Sequence, residues 1–297
     1  MINVIFAIAR KELALFFGSP IGYLFLLAYL GMTLFVFFWV EAFFARNIAD
    51  VRPMFEWLPI SLVFLSAALT MRMWSEERRS GTLEFVVTVP ASAGQFVLGK
   101  FLACWVLLGV ALILTLPVPV TVAVLGDLDW GPVFAGYLAA MLLGGAYLSV
   151  GLFVSSKTDN QIVALILGSF VSGLFYLIGS PFVAELFTNE VGSFLRSLGT
   201  ASRFESITRG VLDLRDLWYY VSIVGVFLGL NVYALERYGW AKDGSAERHR
   251  RWRVVTGLLA VNFVVVNVWL SSVSVLRWDV TEGQQFSISK STREYLS

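Results

Sequence analysis

The chain of 297 residues carries one cysteine, Cys104, and one histidine, His249. A single cysteine excludes an intramolecular disulfide, and these two residues cannot build a His/Cys metal site. Cys104 sits inside an apolar run and reads as a small packed or lipid-facing side chain. His249 reads as a solvated linker residue. Charge is scarce too: Asp, Glu, Lys and Arg make up 14% of the chain, against roughly 25% in a soluble domain. So few charges cannot cover the surface of a soluble protein of this size. That excludes an ordinary cytosolic enzyme, a disordered chain, and a nucleic-acid binder that works through a basic face. The net charge of +1 carries no information about partners. What is abundant is apolar: hydrophobic residues reach 58%, and mean hydropathy is +0.76. The class is an integral membrane protein.

Residues Ile2 to Phe17 place Ile2, Ile5, Phe6, Ala9, Leu13, Phe16 and Phe17 at helical spacing, with Asn3, Arg10 and Lys11 toward the other face. This pattern predicts an amphipathic helix lying in the membrane interface. A cleaved signal peptide fits poorly, because the basic pair follows the first apolar stretch and no small-residue cleavage site ends it. Ile21 to Val40 then runs for 20 residues without a charge. A helix of that length rises ~30 Å, the thickness of the hydrocarbon core. Further spans are expected at about Trp57–Trp74, Phe101–Leu125, Val133–Val154, Ile162–Gly179, Leu217–Leu235 and Val254–Leu276. Seven crossings result, and the fold class is an all-α polytopic membrane protein.

Basic residues orient the chain. With the N-terminus inside, the cytoplasmic segments hold Arg10, Lys11, Arg78, Arg79, Lys157, Arg237 and the run Arg248–Arg253, while acidic residues favour the other face. This predicts a cytoplasmic N-terminus and, after seven spans, an extracytoplasmic C-terminus. On the outer side, Ser180–Asp216 carries Phe204, Ile207, Val211, Leu214 and Leu217 at helical spacing, which predicts an amphipathic helix there. Residues 239–253 contain Asp-Gly-Ser and the basic run, and read as a linker between two units.

Catalytic signatures are missing. There is no HExxH, CxxC or GxSxG, and the expected span centres hold Ser, Thr and Asn in place of carboxylates. Gly94-Gln-Phe-Val-Leu-Gly-Lys100 fits the first seven positions of a phosphate-binding loop. The next residue must be Ser or Thr to hold magnesium, and here it is Phe101, entering a span. Lys100 then reads as a lysine at the lipid headgroups. The most informative segment is Trp74-Ser-Glu-Glu-Arg-Arg-Ser-Gly-Thr-Leu-Glu84, with five charges just inside the membrane. Leu83, Val86, Val87, Val89 and Pro90 follow. A short amphipathic helix over about 75–90 would present its charges to a cytoplasmic partner and its apolar side to the bilayer. A solvated, snorkelling helix end explains the same charges.

Glu76-Glu-Arg-Arg-x-Gly-Thr-Leu-Glu84, followed by Pro90 and Gly99-Lys100-Phe101, resembles the coupling-helix region of ABC type-2 transporter permeases. Arg10-Lys11-Glu12, ending an interfacial helix before the first span, and Ser155-Ser-Lys-Thr-Asp-Asn-Gln161 between spans four and five are similar to that family as well. The resemblance covers residues 1–238, and Gly210-Val-Leu-Asp-Leu-Arg-Asp216 is most similar to its gliding-motility branch. It implies a six-helix permease bundle over residues 20–238 in a bacterial inner membrane, paired with a second permease copy. It also implies separate ATPase subunits, which bind ATP and Mg, so the chain itself needs no cofactor and is not an enzyme. Glu76, Glu77, Arg78, Arg79, Gly81, Thr82 and Glu84 would meet the ATPase. Gly81 would allow a bend or mark an ordinary turn. Arg10, Lys11 and Glu12 would float at the interface or touch the ATPase. Residues 277–297, from Arg277-Trp-Asp-Val-Thr-Glu282 onward, resemble the opening of the auxiliary extracytoplasmic subunit that accompanies such permeases. This implies a permease joined to the start of its auxiliary partner. Two functions follow: a permease subunit driving export or extraction of a substrate, or a membrane anchor for an extracytoplasmic machine.

Overall fold

Long apolar runs in a chain that must satisfy its own backbone hydrogen bonds in lipid fold as helices, and among the described residues seven helices are long and apolar enough to cross a membrane. They are Pro20–Arg46, Leu58–Arg79, Ala93–Leu125, Trp130–Ser155, Gln161–Ile178, Leu214–Arg237 and Arg253–Leu270, named spans 1 to 7 below. The computed structural model describes residues 2–83, 91–187, 189–239, 246–272, 277–283 and 286. Helix α1, Ile2–Phe17, precedes span 1 as the spacing predicts. Span 1 relaxes into a π-helical turn at Val36–Val40.

Span 4 is the centre of the bundle: 78% of its apolar stretch is buried, against 6% for span 7. Its buried face, with Ala135, Gly136, Ala139, Ala140, Gly144 and Ala146, is small enough for neighbouring helices to approach closely. Spans 2, 5 and 6 pack around it. Cys104 belongs to this packed interior, fully buried. Among the described residues, span 7 packs mainly against span 6. Asn267 donates to the Ser222 hydroxyl at 3.1 Å, and Phe263 packs against Tyr219 with ring centres 5.6 Å apart.

Three expectations need correction. Span 3 does not begin at Phe101: its helix starts at Ala93, behind a capping box in which Ser92 and Gln95 bond each other's backbone. The helix can start early because Lys100 is withdrawn from the headgroups into protein, 3% exposed. The outer segment is not one helix through Leu217. A helix over Thr200–Thr208 buries Phe204 and Ile207 as the spacing predicts. It stops at Gly210, whose φ of +91° suits only glycine well. Val211–Asp213 then forms strand β1. Its partner is distant: Arg277–Asp279, strand β2, pairs antiparallel with it, Leu212 opposite Trp278.

The two ends of the bundle carry different chemistry. At the end with β1 and β2, Arg203 and Asp216 form a buried ion pair at 2.8 Å. Arg203 also donates to Ser197 O at 2.7 Å and lies 4.4 Å over the Tyr219 ring. Tyr220 donates to Thr200 O at 2.9 Å, fixing the outer helices to span 6. The tail is built onto this end. Val280 N–H donates to Gly210 O at 3.0 Å, and Glu282 N–H donates to Asp129 Oδ2 at 3.2 Å. Asp279 accepts from the Thr281 hydroxyl at 2.6 Å and from Phe286 N–H at 2.7 Å. Residues 240–245, in the expected linker, and 287–297 of the tail lie outside the described residues.

Candidate functional site

The opposite, basic end brings together α1, the end of span 2, the start of span 3 and the end of span 4. Span 2 does not stop at Trp74. Its helix continues through Ser75, Glu76, Glu77, Arg78 and Arg79, so these charges stand on a rigid extension of a membrane helix. The extension ends in a compact turn. Ser80 N–H donates to Glu76 O at 2.9 Å, and Gly81 N–H donates to Arg78 O at 3.2 Å. Gly81 takes φ of +73°, the left-handed conformation of a helix stop. The Ser80 and Thr82 hydroxyls are 2.9 Å apart. Of the expected helix over about 75–90, Glu84 and the residues to Pro90 lie outside the described residues.

The helix geometry sends the four charges of this extension in different directions. Glu76 is exposed and pairs one turn back with Arg72, at 2.9 and 3.1 Å. Arg79 is exposed. Arg78 reaches across to Ser156 O, 2.7 Å away at the end of span 4. Glu77 turns inward and meets Lys100 at 2.8 Å. The same lysine donates to Glu12 Oε1 at 3.0 Å and to Met73 O at 3.0 Å, and it lies 4.8 Å over the Trp74 ring. All three N–H bonds of the ammonium are therefore used. Glu12 is 7% exposed, while Arg10 and Lys11 beside it face outward. The expected trio 10–12 is thus divided: two solvent-facing cations and one buried carboxylate.

Spacing alone pointed to none of Lys100's partners, because they lie 88 and 23 residues away. The one hint was a lysine close to the start of an apolar run. Ser155 opens the loop that resembles the permease family, but its spacing does not reveal its partners. Its hydroxyl accepts from Trp74 N–H at 3.1 Å and from Ser75 N–H at 3.2 Å, and donates to Met71 O at 3.0 Å. Span 4 is thereby keyed to span 2 where the charged extension begins. Gly99 makes the third contact. A Cβ there would lie 2.6 Å from Ile8 Cγ2, so only glycine lets α1 lie against span 3.

Lys157, just past span 4, borders this junction. Its partial burial disfavours the charged form, and the Arg237 and Arg78 guanidiniums repel it further, so its proton is held less tightly than on an ordinary lysine. Among the described residues of this junction, no nucleophile–base pair forms. A charged helix end is braced on three neighbours by a buried ion cluster and a serine.

No curated protein matches the chain. Residues 54–227, from just before span 2 to the middle of span 6, match the model of the ABC-2 family transporter proteins. The match includes the span 2 extension, Lys100 and Ser155, and leaves α1, span 1 and the tail outside it. This multi-pass membrane chain therefore belongs to the ABC-2 transporter family, as the permease part of a transporter whose ATPase is a separate subunit.

Proposed function

We propose that the chain is the export-type permease of a bacterial inner-membrane ABC transporter, working as a pair of copies, and that its basic end receives the ATPase stroke. The observation that carries this reading is the continuity of the Leu58–Arg79 helix through its charges. A push on its exposed tip, at Glu76, Arg79, Gly81 and Thr82, enters a membrane span without an intervening hinge. Lys100 passes the same displacement to α1 through Glu12 and to span 3 through its own helix. Arg78 and Ser155 pass it to span 4. Exposed charges at the tip suit orientation and partner choice more than raw affinity. Arg10 and Lys11, also exposed, extend the contact.

The test is co-purification with the cognate ATPase from detergent. Wild type retains it, and the double reversal Glu76→Lys, Arg79→Glu loses it. Both positions are exposed, so the reversal leaves the buried cluster intact. Equal retention by the two proteins would remove these residues from the contact, and failure of wild type would remove the coupling reading altogether.

A second reading has its own support. The tail strand β2 is paired to β1, which supports a tail held on the end of the bundle that this reading takes as extracytoplasmic. That suits a membrane anchor for an extracytoplasmic machine, in line with the gliding-motility resemblance. It predicts that the extracytoplasmic partner stays bound with or without ATP.

A further inference from the structure

An open cleft of about 540 Å³ lies between the elbow joining α1 to span 1 and the basic end of span 2. Its floor is the Glu12–Lys100–Glu77 cluster, its walls include Leu15, Phe16, Ile21 and Leu69, and Lys11 and Arg72 stand on its lining. Past Ser19 and Pro20 it continues into a shallow trough along Tyr23, Leu24 and Leu27. These three side chains are 58%, 61% and 71% exposed. The whole has a charged head and an apolar tail, set where the ends of two membrane spans meet the interface.

The charges of the head are specific. Two carboxylates face one lysine, which leaves the floor with one net negative charge. Lys100 has no N–H left to give, and Glu77 Oε2 is buried without a hydrogen-bond partner. A buried acceptor of this kind calls for a further donor, best a cationic one. Around it stand two cations, Lys11 and Arg72, and one more carboxylate, Glu76. The Lys11 side chain is 69% exposed and only 3.9 Å from Glu12. Arg72 spends two N–H groups on Glu76 and keeps others for an anion. A ligand that fits must carry an ammonium with N–H bonds, an adjacent anion and an apolar chain.

We propose that this cleft binds one phospholipid with a primary-amine headgroup. On binding, the Glu77 carboxylate, whose side chain lines the cleft and is 22% exposed, turns its unpartnered Oε2 toward the ammonium, the phosphate sits between Lys11 and Arg72, and an acyl chain follows Leu15, Phe16 and Ile21 onto the trough at Tyr23 to Leu27. A phosphatidylethanolamine satisfies every part. A phosphatidylcholine has the same charge but no N–H to give, and a phosphatidylglycerol has no ammonium. The bound lipid completes the cluster that braces the span 2 extension.

The test is native mass spectrometry of the full chain released from nanodiscs holding equal amounts of dioleoyl phosphatidylethanolamine, phosphatidylcholine and phosphatidylglycerol. One phosphatidylethanolamine is retained per chain, favoured over phosphatidylcholine by about tenfold, the effect of one charge-assisted hydrogen bond. Leu15→Trp fills the cleft from an exposed position, 56% accessible, and abolishes retention without changing the melting temperature. Lys11→Glu, also at an exposed site, lowers retention of phosphatidylethanolamine. Equal retention of the amine and choline lipids overturns the proposal, as does preference for phosphatidylglycerol, which would mark a plain phosphate site. Unchanged retention by Leu15→Trp overturns it too. So does a lipid-free dimer cross-linked through Leu15→Cys, which would show a second copy covering the cleft.

Discussion

Replacing Lys100 with methionine isolates the electrostatic contribution of the buried cluster, since methionine keeps the length and most of the volume of the stem. The substitution leaves Glu12 and Glu77 facing the same site with no cation between them. Removing one partner of a buried, hydrogen-bonded ion pair costs about 3–5 kcal/mol. Glu77 retains 22% exposure, so water relieves part of the penalty and the lower end, about 3 kcal/mol, applies. At ~2–4 °C per kcal/mol for a chain of this size class, the melting temperature falls by about 6–12 °C. The protein supplies its own reporter. Cys104 is fully buried and is the chain's one thiol, so a thiol-reactive fluorophore in detergent reports the unfolding midpoint directly. Lys11→Met is the control: this lysine is mostly exposed and 3.9 Å from Glu12, and an exposed pair is worth at most about 1 kcal/mol. The triple change Glu12→Gln, Glu77→Gln, Lys100→Met removes the charges together and recovers most of the loss, because it leaves no lone buried ion. If Lys100→Met melts within about 2 °C of wild type, less than 1 kcal/mol on the same scale, the reasoning is refuted.

Three further outcomes follow from the same structure. Gly99→Val drives a side chain into Ile8 and lowers stability by about 1–3 kcal/mol, and Ile8→Ala in the same chain restores part of it; the thiol-dye melt reads both. Cysteines at Leu212 and Trp278, opposite each other in the β1–β2 register, cross-link under mild oxidation in a Cys104→Ala background, and Asp279→Ala slows this strongly. Burial raises the Asp279 carboxyl slightly, but hydrogen bonds from Thr281 and Phe286 and the charge of Arg277 outweigh it and leave it below the ordinary carboxylate range. Its contribution to stability is then lost only as pH falls through that lowered value, so the cross-linking rate, corrected for thiolate content, stays flat from about pH 5 to 8. Lys157 titrates below an ordinary lysine, and Arg237→Gln moves it back up, as carbon NMR of dimethylated lysine would register. Because the folded state holds this proton less tightly than the unfolded chain, stability rises as pH climbs through the lowered value toward the ordinary lysine one.

The sequence made the spans legible because twenty apolar residues in a row admit one structure in a bilayer, and α1 legible because its apolar positions recur at helical spacing. The charged segment after Trp74 also stood out, since five charges at a membrane edge are rare. What stayed hidden rests on long-range pairing. Lys100 looks like a headgroup lysine until Glu12 and Glu77 are brought to it, and nothing local in Val211-Leu-Asp213 separates a strand from another helical turn until Arg277–Asp279 is laid beside it. Glu77 and Glu76 are neighbours in sequence with the same chemistry. Only the 100° step of the helix sends one into the protein and leaves the other in solvent.

The pairing of β1 with β2 closes a ring in the chain. Span 6 follows β1 directly, span 7 packs against span 6, and β2, beyond span 7 in the chain, hydrogen-bonds with β1. Spans 6 and 7 thus share an upper fastening, like two legs of a pair of compasses. The strand pairing, the Asn267–Ser222 hydrogen bond and the Phe263–Tyr219 contact therefore couple the position of span 6 to that of span 7, although little of span 7 is buried. A helix that looks like a passive tether is then part of the moving frame.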